Sequence, residues 1–427
     1  MLPEPQGEPA VPAVANLLEL PGDVLVPCLQ LLSPKDVCSF RAASRRCKSL
    51  ADSPCIWQEL CRANGVTSLH GWNVDTYRDL YRTLLHKFGS LPGVWSGSTP
   101  SVGSLLLVEV SPPTLHASSV IPQRLNGAFC KGAVFTITLL GPGQLSIKCC
   151  RPGRVRPHEP SGQFDFGALP TCAHHPGFLN FRGRECFSFH CVNACQQDVL
   201  ELHSRLMAAV SVHTAGHNFP EITPELRELQ ILQYIINHQA LWLPAPQAPQ
   251  GDEVTIFHRL RIPRGRHPME GLWKGTFGGH GVEIVTFEAV DTQAGQELWA
   301  RKVTGDPNVP HSQLTFRVFF HCPINENGER IAHPQREHDF RIPSDHAVDV
   351  NVRSCPALVV QGRYRAEGQV ARVRFRDPKW VPLQVMIFEG GMVGVSWTTL
   401  ATFSLFVPLD ISVPALVPQS ATRGATN

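Results

Sequence analysis

The pattern of apolar residues changes once along this 427-residue chain, and that change limits the folds it can adopt. Between Asn16 and about Phe88, apolar residues recur with a helical period. From Leu91 onward, short runs rich in Val, Ile, Phe and Thr are bounded by turn residues, as is typical of β-strands. The 37 prolines and 34 glycines are scattered, which suits many short strands better than long helices. The sequence therefore predicts an α+β fold with a helical N-terminal part.

Several runs in the second part predict individual elements. The predicted strands cover residues 133–140, 281–290, 313–320, 369–375 and 381–389. Two helices, at 198–210 and 224–239, interrupt the strands, and the second has Thr223 and Pro224 at the positions favoured for a cap and a first turn. Because an apolar helical stripe usually belongs to the core, we expect both helices to pack against the sheet.

A short motif, G-x-W-x-G, occurs twice, at residues 93–97 and 271–275. Each copy is followed, after a turn that contains glycine, by an apolar strand. A Trp near the start of a strand can fill the end of a β-barrel, and neighbouring glycines let the chain bend there. We interpret the two copies as barrel-closing positions, with two unrelated strands as the alternative.

The composition narrows the classes of partner and location. Lys+Arg number 38 against 36 Asp+Glu, so the formal net charge of +2 gives no reason to expect nucleic acid. Residues 1–15 lack the regions of a signal peptide, and no run approaches the roughly 20 apolar residues that span a bilayer. We therefore expect no membrane partner and a cytoplasmic or nuclear location, where most of the 14 cysteines would be thiols or metal ligands.

Three short helices are predicted between residues 16 and 61. Pro21 can open the first, Ser33 and Pro34 the second, and Ser53 with Pro54 the third. Helices this short are marginal alone, and they carry more apolar residues than they could bury among themselves. The surplus indicates a surface that meets a partner.

These residues resemble the F-box. The resemblance rests on LPGDVL at 20–25, PKDV at 34–37, RRCKSL at 45–50 and IWQELC at 56–61. It implies that one set of residues faces the SKP adaptor of an SCF ligase: Leu20, Pro21, Val24, Leu25, Leu31, Leu32 and Val37. Trp57 and Leu60 would pack inward, and Cys28 stands where the family often has a larger Ile. An ordinary helical bundle is the alternative.

The rest of the chain resembles, in patches, F-box proteins whose C-terminal part is a D-type-cyclin-binding β-barrel. The patches are residues 75–91, 93–95, 271–284, 303–310 and 394–406, and residues 321–368 depart from the pattern. The implied fold is a three-helix F-box followed by a large antiparallel β-barrel-like domain with a few packed helices. The predicted domains are a disordered tail at 1–15, the F-box at 16–62, a helical linker at 63–90, the barrel at 91–410 and a flexible tail at 411–427.

A metal site is suggested by Cys150, His158, Cys172 and His175. Two thiolates and two imidazoles suit tetrahedral Zn²⁺, but the spacing is irregular and no C-x-x-C is present, so buried thiols and surface histidines are an alternative. The resemblance implies a structural zinc, because the similar F-box proteins have a Cys, a His eight positions later, and then a Cys and a His pair here. The shorter last gap leaves His174 open as the fourth ligand.

Common catalytic motifs are absent from the sequence, including G-x-S-x-G, the P-loop and H-E-x-x-H. We therefore expect a non-catalytic receptor, whose F-box docks the SKP adaptor and cullin and whose barrel binds a degron of a protein substrate for ubiquitination and proteasomal degradation. The predicted substrate contacts are His280, Asp306 and Asn308, in polar loops that could equally be plain turns. The alternative function is a barrel that binds a small ligand or acts as a scaffold without a ligase role.

Overall fold

The computed structural model describes residues 19–98, 103–122, 125, 129–150, 178–191, 253–277, 280–306, 308–341, 358–372 and 374–411. The helices predicted at 198–210 and 224–239, the predicted tail at 1–15 and nearly all of the predicted tail at 411–427 lie outside these ranges. The chain forms two compact units. The first contains Met1–Ser90, Leu139–Leu145 and Ala415–Asn427, and the second contains Leu91–Thr138 and Ser146–Pro414.

Short helices follow one another at the start of the described part of the first unit. They are α1 (Gly22–Gln30), α2 (Pro34–Ala43), α3 (Arg45–Ala51) and α4 (Pro54–Arg62). The Ser33 side chain accepts the backbone N–H of Asp36, and the Ser44 side chain accepts that of Cys47, so α2 and α3 each start at a serine cap. The three predicted helices are confirmed, and α3 is an additional helix separated from α2 by Ser44.

The region predicted as a helical linker is helical only in its second half. A continuous helical segment starts with α5 (Tyr77–Leu80), passes through a π-helical turn at Tyr81–Leu85 and ends with α6 (His86–Phe88). Thr76 caps it by accepting the backbone N–H of Asp79. None of the helices in the described ranges is long and apolar enough to cross a bilayer.

The second unit contains two antiparallel sheets. The strands of the first are β1 (Gly93–Gly97), β2 (Ser104–Ser111), β3 (Thr114–Ile121), β4 (Cys130–Gly141), β5 (Gln144–Cys149), β6 (Phe178–Phe181), β7 (Cys186–Cys191) and β8 (Glu253–Arg259). Their order is β5-β4-β3-β2-β1-β8-β7-β6, and the end of β4 and the start of β5 lie in the Leu139–Leu145 segment that belongs to the first unit.

The second sheet contains nine strands and closes on itself. They are β9 (Gly271–Thr276), β10 (Val282–Thr292), β11 (Gly295–Lys302), β12 (Leu314–Pro323), β13 (Glu337–Phe340), β14 (Leu358–Arg372), β15 (Arg376–Phe388), β16 (Val393–Trp397) and β17 (Thr402–Pro408). Their order is β12-β11-β10-β9-β17-β16-β15-β14-β13, and an additional β12–β14 pairing closes the barrel. The α+β class with a large antiparallel barrel-like domain is confirmed.

Four of the five predicted strands match observed ones, because β4, β10, β12 and β15 cover them almost entirely. The fifth prediction, 369–375, is only partly right. β14 ends at Arg372, and the chain turns before β15 begins at Arg376.

The two sheets share a topology, and the repeated motif marks the equivalent strand in each. β1 lies between β2 and β8, and β9 lies between β10 and β17, so in both sheets the last strand returns to the first. The indole N–H of Trp95 donates to the carbonyl of Leu91 at 2.7 Å, and that of Trp273 donates to the carbonyl of Met269 at 2.9 Å. In both cases the acceptor is four residues earlier. The two copies of G-x-W-x-G therefore have the same local structure.

Aromatic side chains fill the space beside each Trp. In the first sheet the ring of Phe187 lies 4.8 Å from that of Trp95 and 5.1 Å from that of Phe257. In the second, Trp273 stacks on Phe287 at 4.6 Å. A Cβ added at the last glycine of the second motif, Gly275, would lie 2.1 Å from the ring of Phe406, so this position requires glycine.

Candidate functional site

Exposed apolar side chains are concentrated at the start of the first unit. Leu20, Val24, Leu31 and Leu32 are 39%, 46%, 88% and 39% exposed. Only three other large apolar side chains are exposed in the part of the chain that the structure describes. We call the set Leu20, Pro21, Val24, Leu31 and Leu32 the helical docking surface. Its composition is that of a surface that binds another protein.

The helical period of α1 explains why this surface faces outward. Leu25 and Leu29, four residues apart, form the buried face of α1 and are 2% and 4% exposed. Val24 and Cys28 lie on the other face and are exposed. The chain therefore has a small apolar core on one side of α1 and unpartnered apolar residues on the other.

The structure divides the seven predicted adaptor-binding residues into two groups. Leu20, Pro21, Val24, Leu31 and Leu32 are exposed and adjacent in sequence to α1. Leu25 and Val37 are buried, so they shape the surface from beneath it. Trp57 and Leu60 are buried as predicted, and the indole N–H of Trp57 donates to the carbonyl of Ala51 at 2.8 Å.

Arginine side chains hold the helices under this surface. Arg46 of α3 donates to the backbone carbonyl of Leu20 at 2.9 Å and so fixes the start of the docking surface. Asp52 pairs with Arg41 at 2.8 Å and with Arg78 at 3.2 Å. The hydrogen bond from Arg41 is the main reason that the pKa of Asp52 is lowered. Of these arginines only Arg46 lies in the F-box motif stretches of the sequence, and none of these partners was predicted.

The second unit contains a buried charged cluster formed by Glu283, Lys302 and Asp306. All three are at most 3% exposed. The Lys302 ammonium lies 2.7 Å from a carboxylate oxygen of Glu283 and also pairs with Asp306. It sits 4.2 Å from the centre of the Phe277 ring. β10 and β11 bring Glu283 and Lys302 together because Val285 pairs with Lys302 in the ladder.

The protonation of this cluster follows from its surroundings. Burial raises the pKa of Glu283 to about 8; Lys302 opposes the rise, and Asp306 adds to it. Burial also acts to raise the pKa of Asp306, but Lys302, His280 and hydrogen bonds outweigh it and hold that pKa below its ordinary value. Near neutral pH the cluster therefore contains a cationic Lys302, an anionic Asp306 and a neutral Glu283, and its charges cancel.

The predicted substrate contacts lie at this cluster, but two of them are already used by the chain. One Asp306 oxygen accepts the backbone N–H groups of Asn308 and Val309 at 2.6 and 2.7 Å. The Asn308 side chain donates to the carbonyl of Ala371 at 2.9 Å. His280 is half-buried. Substrate binding by these residues stays a prediction, and the contacts give Asp306 and Asn308 a part in shaping the loop.

A polar cleft of about 230 Å³ lies between the two sheets of the second unit. Its lining includes Ser96, Ser98, His258, Arg301 and His311, and no carboxylate lines it. Arg301 donates to the carbonyl of Ser312 at 2.9 Å. Burial and the neighbouring His258 lower the pKa of His311. The cleft can accept a small group that carries hydrogen-bond acceptors, and sequence reasoning missed it because its residues come from distant strands and a loop.

The predicted zinc ligands can be placed only in part. Cys150 is half-buried, with its Sγ 3.8 Å from the hydroxyl oxygen of Thr136. His158, Cys172, His174 and His175 lie outside the described residues. Within the described ranges, no group of three or more His, Cys, Asp or Glu side chains could hold a metal. Structural zinc stays a prediction, which elemental analysis of the purified chain would check.

Two protein-family models match the chain. The F-box domain model matches residues 17–59, which include α1, α2, α3 and the docking surface. The model described as Cyclin D1 binding domain matches residues 257–412, which include the whole second sheet. This second match begins within β8, so the other strands of the first sheet precede it.

Curated relatives are also similar to this chain. F-box only protein 31 of Rattus norvegicus is 25% identical over 329 residues, which cover 74% of this chain and 58% of the relative. The Homo sapiens protein of that name is 23% identical over 319 residues, covering 72% and 53%. Protein EXECUTER 2, chloroplastic, of Arabidopsis thaliana is 25% identical over 237 residues, covering 49% and 33%. The chain thus spans a little over half the length of the F-box relatives it matches.

Proposed function

We propose a function from the premise that this chain is an F-box protein with a cyclin D1-binding domain. It serves as the substrate-recognition subunit of an SCF-type cullin-RING ubiquitin ligase. The first unit docks the SKP adaptor and thereby the cullin, and the second unit binds a degron of a protein target that is then ubiquitinated and degraded. This takes place in the cytoplasm, the nucleus or both.

The helical docking surface is the observation that carries the proposal. Leu31 is 88% exposed next to two further exposed leucines, and an isolated chain gains nothing from such an arrangement. Amphipathic helices with unpartnered apolar faces bind by laying those faces into a partner's groove. The F-box match covers this same surface, which supports the SKP adaptor as the partner.

The second unit supplies the target-binding part of the proposal. The matched domain family is named for cyclin D1 binding, so a D-type cyclin is the first target to test. The polar cleft between the sheets is our candidate for the degron site, since a cleft with donors and no carboxylate suits peptide carbonyl and carboxylate groups.

The proposed role requires no catalysis by this chain. A receptor raises the effective concentration of a target lysine near the ubiquitin-charged enzyme that the ligase recruits. It contributes by binding two partners at once, and the bound geometry sets which lysines react.

The experiment is co-purification of the full chain with the SKP adaptor and cullin, comparing wild type with Leu20→Asp/Leu31→Asp. We expect adaptor affinity to fall roughly 100-fold, about 2.7 kcal/mol, because the variant places two charges in an apolar interface. Leu400→Asp is the matched control, because Leu400 is 51% exposed in the second unit.

The two variants should differ clearly. The control should bind the adaptor as wild type does, and both variants should keep the wild-type circular dichroism spectrum. If the double variant binds the adaptor with unchanged affinity, the chain is not an F-box receptor, and a scaffold or ligand-binding role for the barrel would replace this proposal.

A further inference from the structure

The hairpin formed by β14 and β15 extends beyond its neighbouring strands. The pairing of β12 with β14 ends at Gly368, and the pairing of β15 with β16 begins at Gln384. Between these points the ladder continues with Gln369 opposite Trp380 and Val370 opposite Lys379. We call residues 369–372 and 374–381 the basic hairpin. Its strands pair only with each other among the residues that the structure describes.

The basic hairpin carries a concentrated positive charge. Arg372, Arg374, Arg376 and Lys379 are all exposed, and Asp377 is the one acidic residue between them. Four cations and one carboxylate give a net charge of +3, whereas the whole chain of 427 residues has +2. The carboxylate does not neutralise the group, because Asp377 lies 3.7 Å from Arg372 and both side chains remain mostly exposed.

An exposed tryptophan lies beside these charges. Trp380 is 40% exposed, and the guanidinium of Arg317 on β12 lies 5.1 Å from the centre of its ring. Outside the first unit, the described residues expose only one other large apolar side chain, Leu400. Trp and Arg together are the residues most enriched where binding energy is concentrated in protein interfaces.

The turn at the tip places charged and aromatic residues where glycine is usual. Arg374 has a φ of +65° and Phe375 a φ of +54°. Positive φ angles at two consecutive residues favour Asn and Gly, because a larger side chain makes this conformation strained. The chain nevertheless has Arg and Phe there, and strain of this kind is concentrated at functional sites.

We propose that the basic hairpin binds an acidic segment of a partner protein, with Trp380 packing against the apolar or backbone part of that segment. The proposal goes beyond the ligase function and does not depend on it. Carboxylates match the planar guanidinium in a bidentate arrangement, and the basic hairpin has three exposed arginines within five sequence positions.

Nucleic acid fits the same surface less well. A two-stranded ribbon can enter the major groove of DNA, but binding there also uses many phosphate contacts along the backbone. The near-zero net charge of the rest of the chain offers no such track. The hairpin charge is therefore suited to a short acidic peptide.

The test uses the full chain without adaptor and a fluorescein-labelled peptide rich in Glu and Asp, measured by fluorescence anisotropy. Arg374→Glu/Lys379→Glu should weaken binding at least tenfold. Arg182→Glu/Arg184→Glu makes the same charge change in the exposed turn between β6 and β7 and should bind as wild type does. Trp380→Ala should weaken binding several-fold with no change in net charge.

Any of the following three outcomes would overturn the proposal. Equal weakening by the two charge-reversal variants would mean that net charge alone attracts the peptide. No binding by the wild-type chain would remove the site. Tighter binding of duplex DNA than of the peptide, lost in the Arg374→Glu/Lys379→Glu variant, would assign the hairpin to nucleic acid. The thermal unfolding midpoint of each variant should equal that of the wild type, which would show that the barrel is still folded.

Discussion

Apolar side chains are usually buried and charged ones exposed, and the F-box helices and the second sheet each break one half of this rule. The helices expose leucines, of which Leu31 is 88% exposed, whereas the sheet buries Lys302, Glu283 and Asp306. The exposed leucines have no partner within the described chain, but the buried charges have partners in one another. The first arrangement is typical of a surface that binds a second protein, whereas the charged groups of the second pair with one another inside the fold.

The difference separates two kinds of mutational effect. An exposed apolar side chain contributes little to the stability of the isolated chain, so its loss should be detected in binding. A buried charge that loses its partner costs several kcal/mol, so its loss should be detected in unfolding. Variants in the two regions should therefore change different measurements.

The largest effect is expected for Lys302→Met. The substitution leaves the buried Asp306 carboxylate without its cation, and breaking a buried pair in this way typically costs 3–5 kcal/mol. Urea denaturation should show this loss in the free energy of unfolding, while the folded fraction still binds the SKP adaptor. Lys379→Met, at an exposed strand position, should change stability by less than about 0.5 kcal/mol. Similar values for both lysine variants would mean that the cluster is not a closed charge network.

A smaller effect should distinguish the two groups of predicted adaptor residues. Val37→Ala removes methyl groups from a fully buried position and should lower stability by roughly 1–3 kcal/mol. Leu31→Ala should leave stability within about 0.5 kcal/mol and weaken adaptor binding roughly tenfold. Thermal unfolding and titration with the adaptor measure the two quantities. A Leu31→Ala variant that unfolds more readily than Val37→Ala would reverse the assignment of these residues.

The sequence predicted features that depend on neighbours in the chain and missed those that depend on strand pairing. Serine caps and first-turn prolines indicated α2 and α4, and the paired G-x-W-x-G motifs indicated two equivalent strands. The partition between exposed Leu31 and buried Val37 was not predicted, because resemblance identifies the residues of a motif but not the depth of each one. The additional helix α3 was missed because its cap, Ser44, lies inside a stretch that reads as one helical pattern.

The buried cluster was beyond sequence reasoning for a different reason. Asp306 was predicted to contact substrate from a polar loop. The structure shows that Lys302, four residues earlier, pairs in the interior with Asp306 and with Glu283 on the adjacent strand. Only the register of β10 against β11 brings Glu283 to this position. The polar sequence of this loop suggested a position at the surface, but in the structure the charged groups pair with one another in the interior.

The smallest effect, a dependence of stability on pH, should identify the protonation state of Glu283. Its folded-state pKa of about 8 lies above the ordinary glutamate value of 4.5, so between these pH values the folded chain holds a proton that the unfolded chain releases. The stability contributed by this proton is fully present below about pH 4.5, declines as pH rises and is lost above about pH 8. In the Glu283→Gln variant the side-chain amide does not titrate in this pH range. From pH 5 to pH 8 its free energy of unfolding should therefore gain about 1 kcal/mol or more relative to wild type.

Glu288→Gln, at an exposed position on the same strand, is the control, and its free energy of unfolding should change with pH as that of the wild type does. If Glu283→Gln also runs parallel, the Glu283 carboxyl is ionised in the fold, and the cluster carries a net negative charge that Lys302 alone does not cancel.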